Sequence, residues 1–343
     1  MQKTTLYILI LALCVPLCFI ADLLFGSVYI PLNEMIEGAF SQSENSSIAS
    51  ILFEIRLPRV ITACITGIAL PISGLLMQTF FRNPLAGPDV LGISTGASLG
   101  VAIFSLAGGV GSIAIISSID TLSSWGFIIA AGVGSCLVML SIAAITPKVR
   151  DTASLLIIGI MLSSVTSAIV SVLQYFSNPQ QIHEFLLWTF GSFSGVHFQH
   201  IKYMLIILVP VLAYTFFMQK SLNALLIGEN YARSMGVHIT RLRIGIVLCA
   251  SLLAGIVTAF TGPIGFIGMA VPHIARMMFK TSNHKILLVS SALLGANLVM
   301  ICDLLSQLPG FETSLPINIV TAIFGAPIVI AVIFRSKKTR LQY

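Results

Sequence analysis

Ten apolar runs, each close to the length that crosses a bilayer, follow one another along the chain and restrict it to one class of architecture. They occupy residues 4–25, 60–81, 92–113, 125–146, 154–176, 200–218, 244–261, 263–279, 286–305 and 315–334. A transmembrane helix needs roughly 17–25 such residues. Hydrocarbon offers backbone amides no water to bond, so runs of this length fold as helices. The expected fold is an all-α polytopic membrane protein, a single transmembrane domain over residues 1–343 with ten spans. Composition agrees, with 57% apolar and 9% charged residues, against roughly 25% charged in a soluble domain. The first run follows Lys3 and precedes no small-residue cleavage site, so it reads as a retained span.

An even number of spans puts both termini on one side. If that side is the cytoplasm, 15 of the 18 basic residues lie inside and only Arg56, Arg59 and Lys202 lie outside. Membrane proteins collect basic residues in cytoplasmic loops, so the net charge of +6 reports topology and not nucleic-acid binding. The six cysteines all fall inside apolar runs, and none stands at metal-ligand spacing with a histidine. They read as small buried hydrophobes, without a disulfide framework or a metal site.

The longest hydrophilic run assigned to the cytoplasm is 220–243. It reads as two helical pieces, 222–235 and 238–243, broken at Gly236. Leu222, Leu225, Leu226 and Tyr231 form an apolar stripe, and Arg233, Arg241 and Arg243 supply charge. Such a segment is either a connecting loop with snorkelling ends or a docking surface for a partner.

Three spans depart from uniform hydrophobicity. After the second, Pro84, Gly87, Pro88 and Gly92 forbid a continuous helix and force a tight re-entry into the third. Broken backbone at membrane depth survives where protein or water satisfies it, so this segment is expected to line an interior. The eighth opens with GPIGFIGMAVPH, where two prolines and several glycines mark either a transport route or a packing kink. The fifth places Ser163, Ser167, Ser171 and Gln174 on one helical face, which serves close helix packing or walls a polar passage. Asp303 is the acidic residue expected within a span, close to the outer surface.

The outer loop 26–59 carries Glu34, Glu37, Glu44 and Glu54 and ends at Arg56 and Arg59. Two arginines on the side that excludes positive charge either snorkel to the interface or pair with carboxylates of a soluble partner. His197 and His200 stand at helical spacing with no further ligand, which does not make a metal site. There is no nucleotide-binding Gly-Lys loop, no H-E-x-x-H and no G-x-S-x-G, so no catalytic residue is assigned.

Four stretches together resemble the membrane permeases of type II ABC importers for iron-siderophores, haem and vitamin B12. They are SGLLMQTFFRNPLAGPDVLGISTGASLG, ALLIGENYARSMGV, GPIGFIGMAVPHIARMMF and LPINIVTAIFGAPIVIAVIFR. The resemblance implies a homodimer with a passage along its two-fold axis, a cytoplasmic ABC ATPase dimer below, and a periplasmic or lipoprotein substrate-binding protein above. This chain would bind no cofactor, with ATP and Mg used by the ATPase in the bacterial inner membrane. Ala224, Leu225, Gly228, Glu229, Ala232, Arg233 and Gly236 match the coupling helices, with Gly236 as the turn between them. Asn83, Leu85, Thr152 and Ala153 match the cytoplasmic gate, and Ser163, Ser167, Ser171 and Gln174 a helix lining the passage. Arg56 and Arg59 match arginines that dock the binding protein. Gln307 stands where many members have arginine. Ser314 and Asn318 replace the acidic residue and the glycine of E-L-P-x-G, with Glu312 just upstream. The cargo implied is an iron chelate, with cobalamin as the alternative. From a different class, an ion-gradient-driven transporter also uses broken helices.

Overall fold

The computed structural model describes residues 2–26, 50–106, 123–149, 151–307 and 314–340, and the regular structure among them is helical. Glu34, Glu37, Glu44, Arg150, Glu312 and the last residues of the 92–113 run lie outside the described residues. In chain order the helices are α1 (Gln2–Leu24), α2 (Leu57–Phe81, entered through a π-helical turn at Ile51–Arg56), α3 (Ile93–Leu106), α4 (Ser123–Ile145) and α5 (Thr152–Phe176). There follow α6 (Pro179–Thr189), α7 (Phe198–Phe217), α8 (Gln219–Ile227), α9 (Glu229–Ser234) and α10 (Ile239–Thr261). The chain closes with α11 (Ile267–Phe279), α12 (His284–Ser306) and α13 (Ile317–Arg340). Among the described residues, seven helices are long and apolar enough to cross a membrane, and 93–106, 267–279 and 317–330 are shorter apolar helices.

The bundle is arranged around α2, which is buried along most of its length and packs on α10, α11 and α12. Glycine makes this possible. A Cβ on Gly67 would collide with the backbone of Gly295 in α12, and one on Gly74 with that of Gly268 in α11. Lipid tails are as apolar as leucine, so helices in a membrane gain most where small residues let backbones touch. The flanks are different: α1, α4, α5 and α7 present exposed Leu13, Leu137, Val165 and Val209, as helices in hydrocarbon do. The cysteines are free; Cys249 and Cys302 are buried as expected, whereas Cys136 is exposed on α4.

Two breaks lie where prolines and glycines cluster. Arg82 (φ 48°) ends α2 in the left-handed region, and Pro88–Leu91 form one 3₁₀ turn before Gly92 (φ 76°) starts the return. The second break shortens the expected 263–279 span, because α11 begins only at Ile267 after Gly262 (φ 74°) and Phe266 (φ 67°). The amide of Gly265 in this unwound stretch donates to Asn318 Oδ1 at 3.0 Å, so the start of α13 satisfies it.

About 34 Å of helix separates Arg59 from Arg82, the residues near the two ends of α2. The molecule thus has one polar end marked by Arg59 and Asp303 and an opposite end carrying α8 and α9.

Candidate coupling, gate and docking elements

The 220–243 segment folds differently from its sequence expectation. The first piece breaks at Gly228 (φ 156°) into α8 and α9, and Gly236 (φ 82°) is the turn between α9 and α10, not between two short helices. What looked like a second short piece, 238–243, is the first turn of the α10 span. The reason is local: with Gly236 N–H donating to Arg233 O and Val237 N–H to Ala232 O, α9 closes there and α10 starts afresh.

Ala224, Leu225 and Ala232 are buried, and Ala224 and Ala232 form a small core with Ile239. Facing outward are Ile227, Tyr231 and Met235, with 68%, 46% and 61% of their surface exposed, together with Arg233 and Gly236. Glu229 is engaged within the chain, accepting from Arg243 Nη2 at 2.6 Å while Arg243 Nη1 donates to Val149 O.

Three polar ties join this element to the bundle, and sequence reasoning found none of their partners. Asn223 Oδ1 in α8 accepts from the backbone N–H of His284 at 2.9 Å and lies 2.8 Å from its Nδ1. With that oxygen an acceptor, Nδ1 carries the proton, and Nε2 faces the Thr79 hydroxyl of α2 at 2.8 Å, whose one proton is shared with Leu75 O at the same distance. Arg82 Nη2 donates to Leu225 O. The third tie is Arg243. Asn223 and His284 are 61 positions apart, which no local periodicity connects.

Of the gate candidates, Asn83 is half-buried and closes its own turn by accepting from Leu85 N–H, while Leu85 is exposed. Thr152 and Ala153 form the first turn of α5, capped by Asp151, which accepts from the backbone N–H groups of Ala153 and Ser154 and from the Ser154 hydroxyl. The Ser154 hydroxyl, followed by these two amides, holds the Asp151 carboxyl below its ordinary range. Among the described residues no hydrogen bond joins the Asn83–Leu85 pair to the Thr152–Ala153 pair.

The serine face of α5 divides. Ser163 turns onto the re-entry, where a Cβ on Gly92 would reach within 2.7 Å of its Oγ. Ser167 and Ser171 are exposed, Gln174 is half-buried, and Ser163 and Ser171 donate back to the preceding turn.

At the opposite end both docking candidates are tied down. Arg56 is buried and its Nη1 donates to Leu23 O and Leu24 O, completing the last turn of α1. Arg59 grips Asp303 through Nε and Nη2, closest at 2.7 Å, and donates through Nη1 to Ser194. Asp303 is therefore fully buried rather than interfacial. It is also not the sole acidic residue in a span: Asp22 of α1 is buried beside it, and Gln307 Nε2 donates to both carboxylates at 3.1 Å. Above Arg59 opens a pocket of about 280 Å³ lined also by Ser192, Ser306, Ser314 and Pro316. His200 Nδ1 accepts from the His197 amide, a helix-capping arrangement, and no metal-holding group of His, Cys, Asp or Glu occurs among the described residues.

Known proteins resemble this chain in sequence and fold. The FecCD transport family matches residues 11–335. The vitamin B12 import system permease proteins BtuC of Salmonella paratyphi A and Salmonella typhi are each 33% identical over 287 residues, covering 84% of this chain and 84% of theirs. A solved structure described as an inward-facing transporter of metal-chelate ABC type superposes with a TM-score of 0.82 at 25% identity, over 96% of this chain and 99% of that one. The chain belongs to the FecCD transport family and is the non-catalytic membrane permease of an ABC transporter.

Proposed function

We propose that two copies of this chain form the passage through which an iron chelate, a ferric siderophore or haem, enters across the bacterial inner membrane. Each copy contributes ten spans with both termini in the cytoplasm, an orientation supported by the 15 of 18 basic residues that fall on that side. The observation that carries the reading is the α8–α9 pair, which offers exposed apolar side chains beside Arg233 yet is tied through Asn223 and Leu225 to the central helices. A cytoplasmic ATPase dimer seated on Ile227, Tyr231, Met235 and Arg233 would move this pair as it closes. Its ties would carry that movement to α2 and the Asn83 turn, and through Arg243 and Val149 toward Thr152 and Ala153. Rigid elements with two packings transmit motion this way. The exposed Ser167 and Ser171 of α5, with Gln174, would wall the passage on either side of the two-fold axis, with Ser163 positioning its gate end.

A periplasmic or lipoprotein binding protein would deliver the cargo at the Arg59 end. Its acidic side chain would enter the Ser192–Ser314 pocket and share Arg59 with Asp303, while Arg56 holds the end of α1. The missing acidic residue at 314 removes a repulsion there, and Gln307 spends its amide on Asp22 and Asp303.

The relatives named for vitamin B12 import favour cobalamin as the second reading. Uptake into proteoliposomes holding this chain, its ATPase and its binding protein separates them. The proposal expects ATP-dependent uptake of a ferric chelate in preference to cyanocobalamin. Preferred uptake of cyanocobalamin gives the second reading, and uptake by this chain alone on an ion gradient contradicts both.

A further inference from the structure

A groove of about 440 Å³ runs between α7 and α10, lined by Pro210, Val211, Ile244, Leu248 and Leu252, with Gly245 in its floor. It is apolar except at one end, where Tyr214 and Arg241 line it. The same two residues also line a second cavity, of about 300 Å³, with Ser221, His238 and the Gly236 turn. The two spaces thus meet at Tyr214 and Arg241. Arg241 is exposed and makes no hydrogen bond or ion pair among the described residues, unlike Arg243 two positions on. A Cβ on Gly245 would reach 3.4 Å from Tyr214 Oη and 3.5 Å from Met218 Cε, so a larger side chain would fill the groove just below the arginine.

We propose that these joined cavities bind one anionic phospholipid, with an acyl chain along the α7–α10 groove and the phosphate on the Arg241 guanidinium. The shape asks for an amphiphile: a long apolar slot, then one unpaired cation, then donors from Tyr214, Ser221 and His238. The surroundings supply it, because α7 leans chiefly on α10 and turns exposed Ile206, Val209 and Phe217 to the outside beside the slot. A protein segment would have to leave this face of α7 uncovered or bury Arg241, whereas a lipid satisfies both ends at once. Basic pockets between transmembrane helices take anionic headgroups, each basic residue being worth about fivefold in binding at the membrane surface. The Gly236 turn forms one wall of the headgroup cavity, so a bound lipid would brace the joint between α9 and α10. This inference rests on the geometry of α7 and α10 and holds whatever the cargo.

The test is native mass spectrometry of the full chain, extracted in mild detergent from bilayers of equal phosphatidylglycerol and phosphatidylcholine. One phosphatidylglycerol retained per chain, in excess over phosphatidylcholine, is expected. Arg241→Gln, at an exposed and unpaired position, should lower that retention about fivefold and leave phosphatidylcholine unchanged. Gly245→Leu should remove the bound lipid of either kind. Equal retention of the two lipids, or retention of phosphatidylglycerol unaltered in Arg241→Gln, overturns the proposal. So does an empty groove that a second copy of the chain or another protein covers, which returns no bound phosphatidylglycerol in the wild type.

Discussion

Asn223 and His284 meet at two points, backbone amide and ring nitrogen on one side-chain oxygen, and so fasten α8 to the start of α12. Through the far side of the same imidazole, Thr79 brings in α2. One side chain of α8 therefore reaches two central helices. Asn223→Ala should leave the buried His284 ring and amide without their acceptor. Stranding such groups costs about 1–3 kcal/mol, read as a lower midpoint of thermal unfolding in detergent, and ATP-driven uptake should fall while ATP hydrolysis persists. An unchanged midpoint together with unchanged uptake would show the tie to be idle.

One arginine faces two buried carboxylates at the other end. Asp303→Ala should destabilise by about 1–3 kcal/mol, because Arg59 loses its carboxylate partner while still facing the pocket above it. Asp22→Asn should be neutral or stabilising, since it takes one of two buried carboxyls away from Asp303 while its amide oxygen still accepts from Gln307. Unfolding midpoints of the two variants should shift in this unequal way; equal losses would contradict the assignment of Arg59 to Asp303.

Asp151 makes the start of α5 pH-dependent. Its carboxyl is held low by the Ser154 hydroxyl and the amides it caps, so the folded protein favours the ionised form. The stabilisation is present above the carboxyl value of the unfolded chain and is lost as pH falls through the lower folded value. Hydrogen exchange at 152–156 should thus be slow at neutral pH and quicken in acid more than intrinsic rates require. Asp151→Asn should abolish that extra dependence.

Asn318, at the start of α13, supplies the acceptor for the unwound Gly265 amide. Asn318→Gly should cost about 1 kcal/mol through that unpaired, half-buried donor and speed exchange at residues 265–267. Wild-type exchange there would mean another group satisfies the amide.

Much of the architecture was legible because bilayer thickness sets helix length: α1–α5, α7 and α10–α13 overlie the ten apolar runs, seven of them long enough to cross a membrane and three shorter, and Pro84, Gly87, Pro88 and Gly92 mark the re-entry that forms. The serine spacing also put Ser163, Ser167 and Ser171 along α5. What local pattern could not show were contacts between distant positions. Arg59 and Asp303 are 244 residues apart, and Asp22 and Gln307 285 apart, so two arginines that read as docking groups are also internal ties. The helical piece expected over 222–235 runs through Gly228. The backbone of Gly228, at φ 156°, is where α8 and α9 divide.

The joint at Gly236 carries the central claim, that motion of α8 and α9 drives the passage. Its φ of 82° is closed to proline, and its N–H is bonded to Arg233 O, so Gly236→Pro must deform this joint. Arg233→Glu reverses the exposed charge beside it. The measurement is substrate taken up per ATP hydrolysed, in proteoliposomes with the ATPase and binding protein. Both variants should lose about tenfold or more in that ratio, within the span of coupling energies between sites, while binding-protein affinity stays at the wild-type value. A wild-type ratio in both variants would contradict the account.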